Sequence, residues 1–183
     1  MDFSLAQINK DWTLFLDRDG VINEEKNEDY IRNWNEFQFY DFSLEALSIL
    51  SQKFNTIVIT TNQKGIGKGL MSHEDLASIH QNMLANIEKH GGRIDHIFYC
   101  ADLDNNSPNR KPQAGMALQA KQVFPKIQFD QSVMVGNRIS DMHFGRNAGM
   151  HTIFVATTHP ETPFPDPAID LRFDNLLAFA KSL

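Results

Sequence analysis

Two carboxylates directly follow a short apolar run near the start of the chain. Residues 14–20 read LFLDRDG, so that Asp17 and Asp19 stand two positions apart at the end of a predicted strand. Such side chains share a direction while the strand stays extended, and Gly20 then lets the backbone turn away. One carboxylate could attack a phosphorus atom while the other exchanges a proton with the leaving oxygen. Buried paired acids also require a cation, and their oxygen atoms suit Mg²⁺.

Two later segments could bind a phosphate group. Thr61 and Asn62 end a second apolar run, and residues 64–69 then supply three glycines and two lysines. Backbone N–H groups and lysines in such a stretch can hold a phosphate. Arg110 and Lys111 precede a predicted helix, where a lysine could neutralise phosphoryl charge. Taken singly, the two segments could equally be a flexible turn and a solvated basic pair.

A fourth apolar run ends in a glycine turn followed by oxygen-bearing side chains. Residues 134–141 read MVGNRISD, which places Asn137 and Asp141 after the turn. These side chains could form a third wall of a metal site. The start of an ordinary N-capped helix would show the same pattern.

Short apolar runs alternate with helical patterns along the chain. The predicted strands are residues 12–16, 56–60, 94–99, 132–135 and 152–155, with helices between them and after the last one. This alternation predicts an α/β fold of the Rossmann-like type, a three-layer sandwich with a central, mostly parallel sheet. Ligands bind such sheets beyond the carboxyl ends of the strands, where all the polar segments fall. Only short loops separate the strands, so no large cap domain is expected.

Composition limits the possible functions. A length of 183 residues predicts one domain over residues 1–183, and a net charge of −6 argues against a nucleic-acid partner. The single cysteine excludes an intramolecular disulfide and fits a reducing compartment. There is no membrane-spanning apolar run and no signal-peptide pattern at the start, so a cytoplasmic protein without a membrane partner is expected. The sequence gives no indication of oligomeric state.

Together the segments resemble the haloacid dehalogenase-like phosphohydrolases. Within that superfamily they are most similar to the group of D-glycero-D-manno-heptose 1,7-bisphosphate 7-phosphatases and histidinol-phosphate phosphatases. The matching stretches are residues 15–23, 61–69, 110–112 and 136–142, within a likeness that spans residues 12–156. The resemblance implies a Mg²⁺-dependent phosphatase whose partner is a small phosphorylated metabolite, such as heptose bisphosphate or histidinol phosphate.

The resemblance also implies catalytic roles. Asp17 would attack the phosphoryl group and form an aspartyl-phosphate. Asp19 would protonate the leaving alcohol and then deprotonate the water that hydrolyses the intermediate. Thr61 would hydrogen-bond the transferred phosphoryl group, and Lys111 would stabilise its charge. The segment 24–40 would form a loop over the site that helps to select the substrate.

Metal and substrate ligands follow from the same resemblance. The metal would bind the carboxylate of Asp17, the backbone carbonyl of Asp19 and the side chain of Asn137. Asp141 would orient this set of ligands. Substrate-binding residues would be Asn62, Lys68 and Arg110.

The chain departs from the family pattern at two places. The family usually has Asp where this chain has Asn137, which removes one negative charge from the metal site and is expected to weaken metal binding. Relatives often carry a Cys-x-His and Cys-x-Cys zinc loop, whereas the counterparts here are Cys100, Asp102, Ser107 and Asn109. One thiolate cannot hold tetrahedral zinc, so no zinc is expected.

Three other functions stay open at this point. The first is a protein that binds a phosphorylated ligand but has lost turnover, which would explain why Asn137 stands at the metal site. DNA 3′-phosphatases look similar at the first two segments, although the acidic balance argues against a polynucleotide substrate. A phosphotransferase would pass the phosphoryl group to an acceptor other than water.

Overall fold

The computed structural model describes residues 3–183, and its centre is a parallel sheet. The strands are β1 (Thr13–Leu16), β2 (Thr56–Asn62), β3 (His96–Cys100), β4 (Ser132–Gly136), β5 (His151–Val155) and β6 (Leu171–Phe173). They lie in the order β3-β2-β1-β4-β5-β6, and every neighbouring pair is parallel. The direction in which the chain adds strands therefore reverses between β1 and β4.

Helices cover both faces of the sheet. The α-helices of the described residues are α1 (Ser43–Lys53), α2 (Lys64–Gly67), α3 (His73–Lys89), α4 (Gly115–Val123), α5 (Ile139–Ala148) and α6 (Leu176–Lys181). Buried side chains of α1, α3 and α6 pack on one face, and those of α4 and α5 pack on the other. Between residues 3 and 183, no helix is both long enough and apolar enough to cross a membrane.

Strand β1 contributes to the cores on both sides of the sheet. Leu14 and Leu16 belong to the larger core beneath α1, α3 and α6, whereas Phe15 belongs to the smaller core beneath α4 and α5. All three side chains are fully buried, as expected of a central strand in a parallel sheet. The loop after β1 thus starts from a rigid support, which positions the two carboxylates that follow.

The predicted α/β sandwich is confirmed, and each of the five predicted strands is found within two residues of its expected bounds. Strand β6 was not predicted, because its three residues are only half-buried and Arg172 stands at the centre. The glycine-rich stretch after β2, for which no helix was predicted, contains the single-turn helix α2. Helix α3 begins with a capping box, in which the side chains of Ser72 and Asp75 each accept a hydrogen bond from the backbone N–H of the other residue.

Candidate active site

The polar segments predicted from the sequence meet at the carboxyl edge of the sheet. β2, β1 and β4 end beside one another there, because they are neighbours in the strand order. A cavity of about 650 Å³ opens at this edge, and its lining includes Asp17, Asp19, Thr61, Lys111 and Asp141. Its place beside the reversal of strand order is where parallel α/β sheets bind ligands.

Asp17 and Lys111 form the buried base of the cavity. Lys111 Nζ lies 2.9 Å from Asp17 Oδ1 and 2.7 Å from Asp141 Oδ1. Burial raises the pKa of Asp17 to about 7; Lys111 opposes this rise, while the charges of Asp141 and Asp19 add to it. Burial acts to lower the pKa of Lys111, but the charges of Asp141 and Asp17 outweigh it and raise that pKa. Lys111 therefore presents a fixed positive charge beside the predicted nucleophile.

Asn62 and Asp141 hold Lys111 in position. Asn62 Oδ1 accepts a hydrogen bond from Lys111 N at 3.1 Å, and Asn62 Nδ2 donates to Lys111 O at 3.2 Å. Asp141 Oδ2 accepts from Arg138 N at 3.1 Å, and Asp141 packs so closely on Gly136 that a Cβ there would overlap it. The substrate role predicted for Asn62 and the metal role predicted for Asp141 stay predictions. Their contacts here are with Lys111 and the backbone.

Asp19 is held by three neighbouring side chains. Arg18 Nη2 donates to both carboxylate oxygens, at 2.8 and 3.0 Å, while Asn23 Nδ2 donates to Oδ1 at 2.9 Å and Gln63 Nε2 to Oδ2 at 3.0 Å. Burial acts to raise the pKa of Asp19, but the charge of Arg18 and these hydrogen bonds outweigh it and lower that pKa. Gln63 Nε2 also donates to Thr61 Oγ1 at 2.9 Å. Because Gln63 contacts both Asp19 and Thr61, it joins the loop after β1 to the end of β2.

The amide of Asn137 lies between one hydroxyl group and two other oxygen atoms. One end of the amide is 2.6 Å from Thr158 Oγ1, and the other end is 3.2 Å from the Asp19 carbonyl oxygen and 3.3 Å from Asp17 Oδ2. Without a cation, the amide orientation that satisfies all three neighbours puts Nδ2 on the two oxygens and Oδ1 on the Thr158 hydroxyl. With a cation bound, the turned amide would place Oδ1 beside the other two oxygens, and oxygen ligands are the ones that Mg²⁺ prefers. These residues therefore fit a divalent cation.

Gly20 leaves the space that Asn137 requires. Its φ of +84° is a left-handed conformation, and a Cβ at this position would overlap the Asn137 amide. The glycine predicted to turn the backbone is therefore also needed for the close approach of the β4 loop to the β1 loop.

Comparison with known proteins identifies the family. A family model described as Polynucleotide kinase 3 phosphatase matches residues 13–160, which contain every residue of the site described above. The D-glycero-alpha-D-manno-heptose-1,7-bisphosphate 7-phosphatase of Mycobacterium bovis is 34% identical over 170 residues, which cover 92% of this chain and 90% of that protein. The chain belongs to the haloacid dehalogenase-like phosphatases.

Further matches agree with this assignment. The D-glycero-beta-D-manno-heptose-1,7-bisphosphate 7-phosphatase of Vibrio cholerae is 37% identical over 158 residues, covering 81% of this chain and 83% of that protein. The crystal structure of D,D-heptose 1,7-bisphosphate phosphatase from B. bronchiseptica, complexed with magnesium and phosphate, has a TM-score of 0.84 and 26% identity, covering 93% of this chain and 97% of that one. The predicted superfamily and enzyme class are confirmed.

Five cationic side chains line the cavity of this phosphatase besides Lys111, and two of them, Lys26 and Arg138, are ion-paired with Glu36 and Glu25. The other three are Lys64, Lys68 and Arg110. Lys68 Nζ lies 5.1 Å from the centre of the Tyr30 ring, and Lys64 Nζ donates to Asn105 Oδ1 at 2.7 Å. Arg110 Nη1 is buried and has no hydrogen-bond partner within residues 3–183. None of the three is ion-paired with a carboxylate of the described residues. Their charges are therefore available to a ligand.

The segment 24–40 lies beside the cavity of this phosphatase, and its residues 25, 26 and 28–31 contribute to the lining. Arg138 Nη2 lies 3.1 Å from Glu25 Oε1, which joins this segment to the loop after β4. Trp34 stacks on Phe37 with ring centres 5.0 Å apart, and both rings pack on the larger core. The aromatic residues thus anchor the segment on the core, while four of its charged residues face the cavity, namely Glu25, Lys26, Glu28 and Asp29.

The loop after β3 contains the positions at which relatives often carry zinc ligands. In this chain a hydrogen bond between two side chains holds the loop together. Cys100 is buried at the end of β3, and burial raises the pKa of its thiol. Ser107 Oγ donates a hydrogen bond to Asp102 Oδ2, which joins the two sides of the loop. The expectation that no zinc binds here stays a prediction.

Several residues of this site were not identified from the sequence. Arg18 and Asn23 lie within the first stretch that matches the family, and Gln63 lies within the second. Their place in these motifs is the one feature of the sequence that could have indicated a role in the site. Thr158 stands 21 residues after Asn137, in a different loop, and no local pattern indicates their contact.

Proposed function

We propose that this phosphatase hydrolyses one phosphate ester of a small sugar bisphosphate, of the class of heptose 1,7-bisphosphate. The observation that carries the proposal is the charge layout of one cavity, which has Asp17 at its base and Lys64, Lys68 and Arg110 around it. A substrate with two phosphates could place one at the base and the other among these cations. The names of the relatives described above support the same substrate class.

The proposed reaction has two steps. Asp17 attacks the phosphorus, the bond from phosphorus to the sugar oxygen breaks, and the departing oxygen takes a proton from Asp19. Asp19 then removes a proton from water, which hydrolyses the aspartyl-phosphate and restores Asp17. The lowered pKa of Asp19 suits the second step. The negative charge of a bound phosphate raises that pKa, which favours the protonated form that the first step needs.

The other predicted residues would bind and orient the phosphoryl group. Lys111 Nζ and the Thr61 hydroxyl line the cavity, where they can donate to phosphoryl oxygens. A magnesium ion held by Asp17, the Asp19 carbonyl and Asn137 would supply positive charge against the same oxygens. The magnesium and phosphate in the B. bronchiseptica phosphatase support this cofactor.

A polynucleotide 3′-phosphate is the second candidate substrate, because the matching family model carries that description. Two features oppose it. The chain has a net charge of −6, and Glu25, Glu28 and Asp29 line the cavity beside the cations. A polyanion would be repelled by both. Histidinol phosphate fits less well than a bisphosphate, because it has no second phosphate to pair with Lys64, Lys68 and Arg110.

The test is phosphate release in the presence of Mg²⁺ from four substrates: heptose 1,7-bisphosphate, heptose 7-phosphate, histidinol phosphate and a 3′-phosphorylated oligonucleotide. The bisphosphate is expected to have the highest kcat/KM. Lys68→Ala should raise KM for the bisphosphate by about tenfold and leave KM for the monophosphate unchanged, since about one charged contact is lost. Lys89→Ala, at the end of α3 and outside the cavity lining, is the matched control.

Two results would contradict this assignment. If kcat/KM is higher for the oligonucleotide than for the bisphosphate, the protein is a polynucleotide 3′-phosphatase. An absence of turnover on all four substrates, with retained phosphate binding, would favour the binding protein that has lost activity.

We also propose that residues 1–183 act as one hydrolase domain and that the enzyme works in the cytoplasm without zinc. Residues 3–183 form a single sheet, and the one cysteine of the sequence is buried, which supports this view.

A further inference from the structure

Arg18 is a charged side chain that is fully buried behind the cavity. Its guanidinium forms a fork on Asp19, with Nη2 at 2.8 Å from Oδ1 and 3.0 Å from Oδ2, and with Nε at 3.2 Å from Oδ1. A guanidinium is planar and holds a carboxylate most firmly in this two-pronged arrangement. The orientation of Asp19 therefore depends on the plane in which Arg18 is held.

His80 meets the other end of this guanidinium. Its Nε2 lies 3.1 Å from Arg18 Nη1, and its ring is buried on the inner face of α3. Burial and the charge of Arg18 lower the pKa of His80 to about 3, so the imidazole is neutral. Because Arg18 can only donate, Nε2 must be the unprotonated nitrogen that accepts, with the hydrogen on Nδ1.

From these contacts we infer that His80 is a positioning residue for catalysis, which aims Asp19 at the leaving oxygen by fixing the plane of Arg18. The inference rests on the proposed acid and base role of Asp19. A proton donor must lie within hydrogen-bond reach of the atom it serves, and a displacement of about 1 Å can cost on the order of 10²-fold in rate. Without the acceptor at residue 80, Nη1 is left unpaired in a buried place and the guanidinium rotates toward other acceptors.

The test uses two aryl phosphates of similar shape. The phenol released from phenyl phosphate is a poor leaving group that needs a proton, whereas 4-nitrophenolate leaves with little help. Loss of proton donation should therefore lower kcat/KM for phenyl phosphate far more than for 4-nitrophenyl phosphate. Asp19→Asn calibrates the method, with an expected loss of about 10²-fold or more on phenyl phosphate.

Removing the acceptor at residue 80 is the decisive change. His80→Leu should lower kcat/KM for phenyl phosphate by about tenfold and that for 4-nitrophenyl phosphate by less than about twofold. His80→Gln, whose amide oxygen can replace Nε2, should restore most of the loss. His143→Leu, the same substitution at an exposed position of α5, is the control and should change neither value.

The outcomes separate this inference from the proposed function. Equal losses on both substrates for His80→Leu, or no loss on either, would overturn the positioning role. If His80→Leu does not fold, His80→Asn takes its place, because its shorter amide cannot reach Arg18 in the same way, and the same ratio of losses is expected. If Asp19→Asn itself shows no preference between the two substrates, the proposed role of Asp19 fails instead.

Discussion

Replacing Asn137 with Asp restores the residue that the family usually has and tests the metal site directly. One end of the Asn137 amide lies 3.3 Å from Asp17 Oδ2 and 3.2 Å from the Asp19 carbonyl oxygen. A carboxylate at this place would add a negative charge next to these two oxygen atoms, and it could not donate a hydrogen bond to them as the amide can. We therefore expect Asn137→Asp to strengthen Mg²⁺ binding and to weaken the metal-free fold.

The size of both effects follows from the geometry. Two unit charges 3.3 Å apart repel by about 5 kcal/mol at an effective dielectric constant of about 20. Asp17 escapes this repulsion by taking up a proton, and because its pKa is about 7, that costs about 1.4 kcal/mol at pH 8. The metal-free variant should thus lose about 1–2 kcal/mol of unfolding free energy, or roughly 2–8 °C in Tm. With the additional anionic ligand, Kd for Mg²⁺ should fall by about tenfold to hundredfold.

Calorimetric titration with Mg²⁺ at pH 8 measures the affinity, and thermal unfolding with and without Mg²⁺ measures the stability. Asn55→Asp is the matched control, because it adds the same charge at an exposed position on the opposite edge of the sheet. The variant at residue 137 should show a lower Tm without metal and a larger increase on adding Mg²⁺. Unchanged Kd and unchanged metal-free Tm would refute the placement of residue 137 against the cation.

Three further predictions concern the same site. Asp17→Asn should reduce the rate of phosphate release by at least about 10⁴-fold while the fold is kept. A variant as active as the wild type would show that Asp17 is not the nucleophile. The raised pKa of Asp17 means that a proton occupies the metal-free site below about pH 7. Mg²⁺ must displace that proton, so calorimetry should show Kd rising about tenfold per pH unit below 7 and constant above it. Stability changes in the opposite direction to Mg²⁺ affinity: the folded chain keeps this proton to a higher pH than the unfolded chain, so the metal-free fold loses stability as pH rises from about 4 to 7. Gly20→Ala should cost about 2–4 kcal/mol of unfolding free energy, because it combines a left-handed backbone with overlap on Asn137. Gly69→Ala, which has the same kind of φ and open space around it, should cost only about 1–2 kcal/mol; equal losses in denaturant unfolding would contradict the overlap.

The first motif shows how much local pattern reveals. The apolar run before Asp17 predicted a strand buried on both faces, and β1 is such a strand. The alternation of strands and helices predicted a parallel sheet, and the carboxyl ends of neighbouring parallel strands share one edge. The sequence therefore predicted that segments far apart in the chain lie side by side. The hydrogen bond from Gln63 to Asp19, which are 44 positions apart, is one such contact.

Local pattern did not reveal β6 or the helical turn α2. β6 is short and half-buried with Arg172 at its centre, and it is a strand only because β5 offers it an edge to pair with. α2 contains two glycines, which disfavour a helix, and its turn is completed by packing of Gly65 against Tyr30 and Met71. In both places the tertiary surroundings outweighed the weak preference of the residues.

The sequence by itself determined which chemistry is available to this protein. Carboxylates, a lysine and glycines follow the predicted strands, and their residue types and short spacings can be read without knowing the rest of the fold. Only the tertiary structure decided which of them act on one another. Lys111 reaches Asp17 across 94 positions, and Arg18 reaches His80 across 62. Such contacts depend on how α3 and the loop before α4 pack against the sheet, and no period in the sequence encodes that packing. The charge state of Asp17 and the orientation of Asp19 follow from burial, so they appear only when the chain has folded.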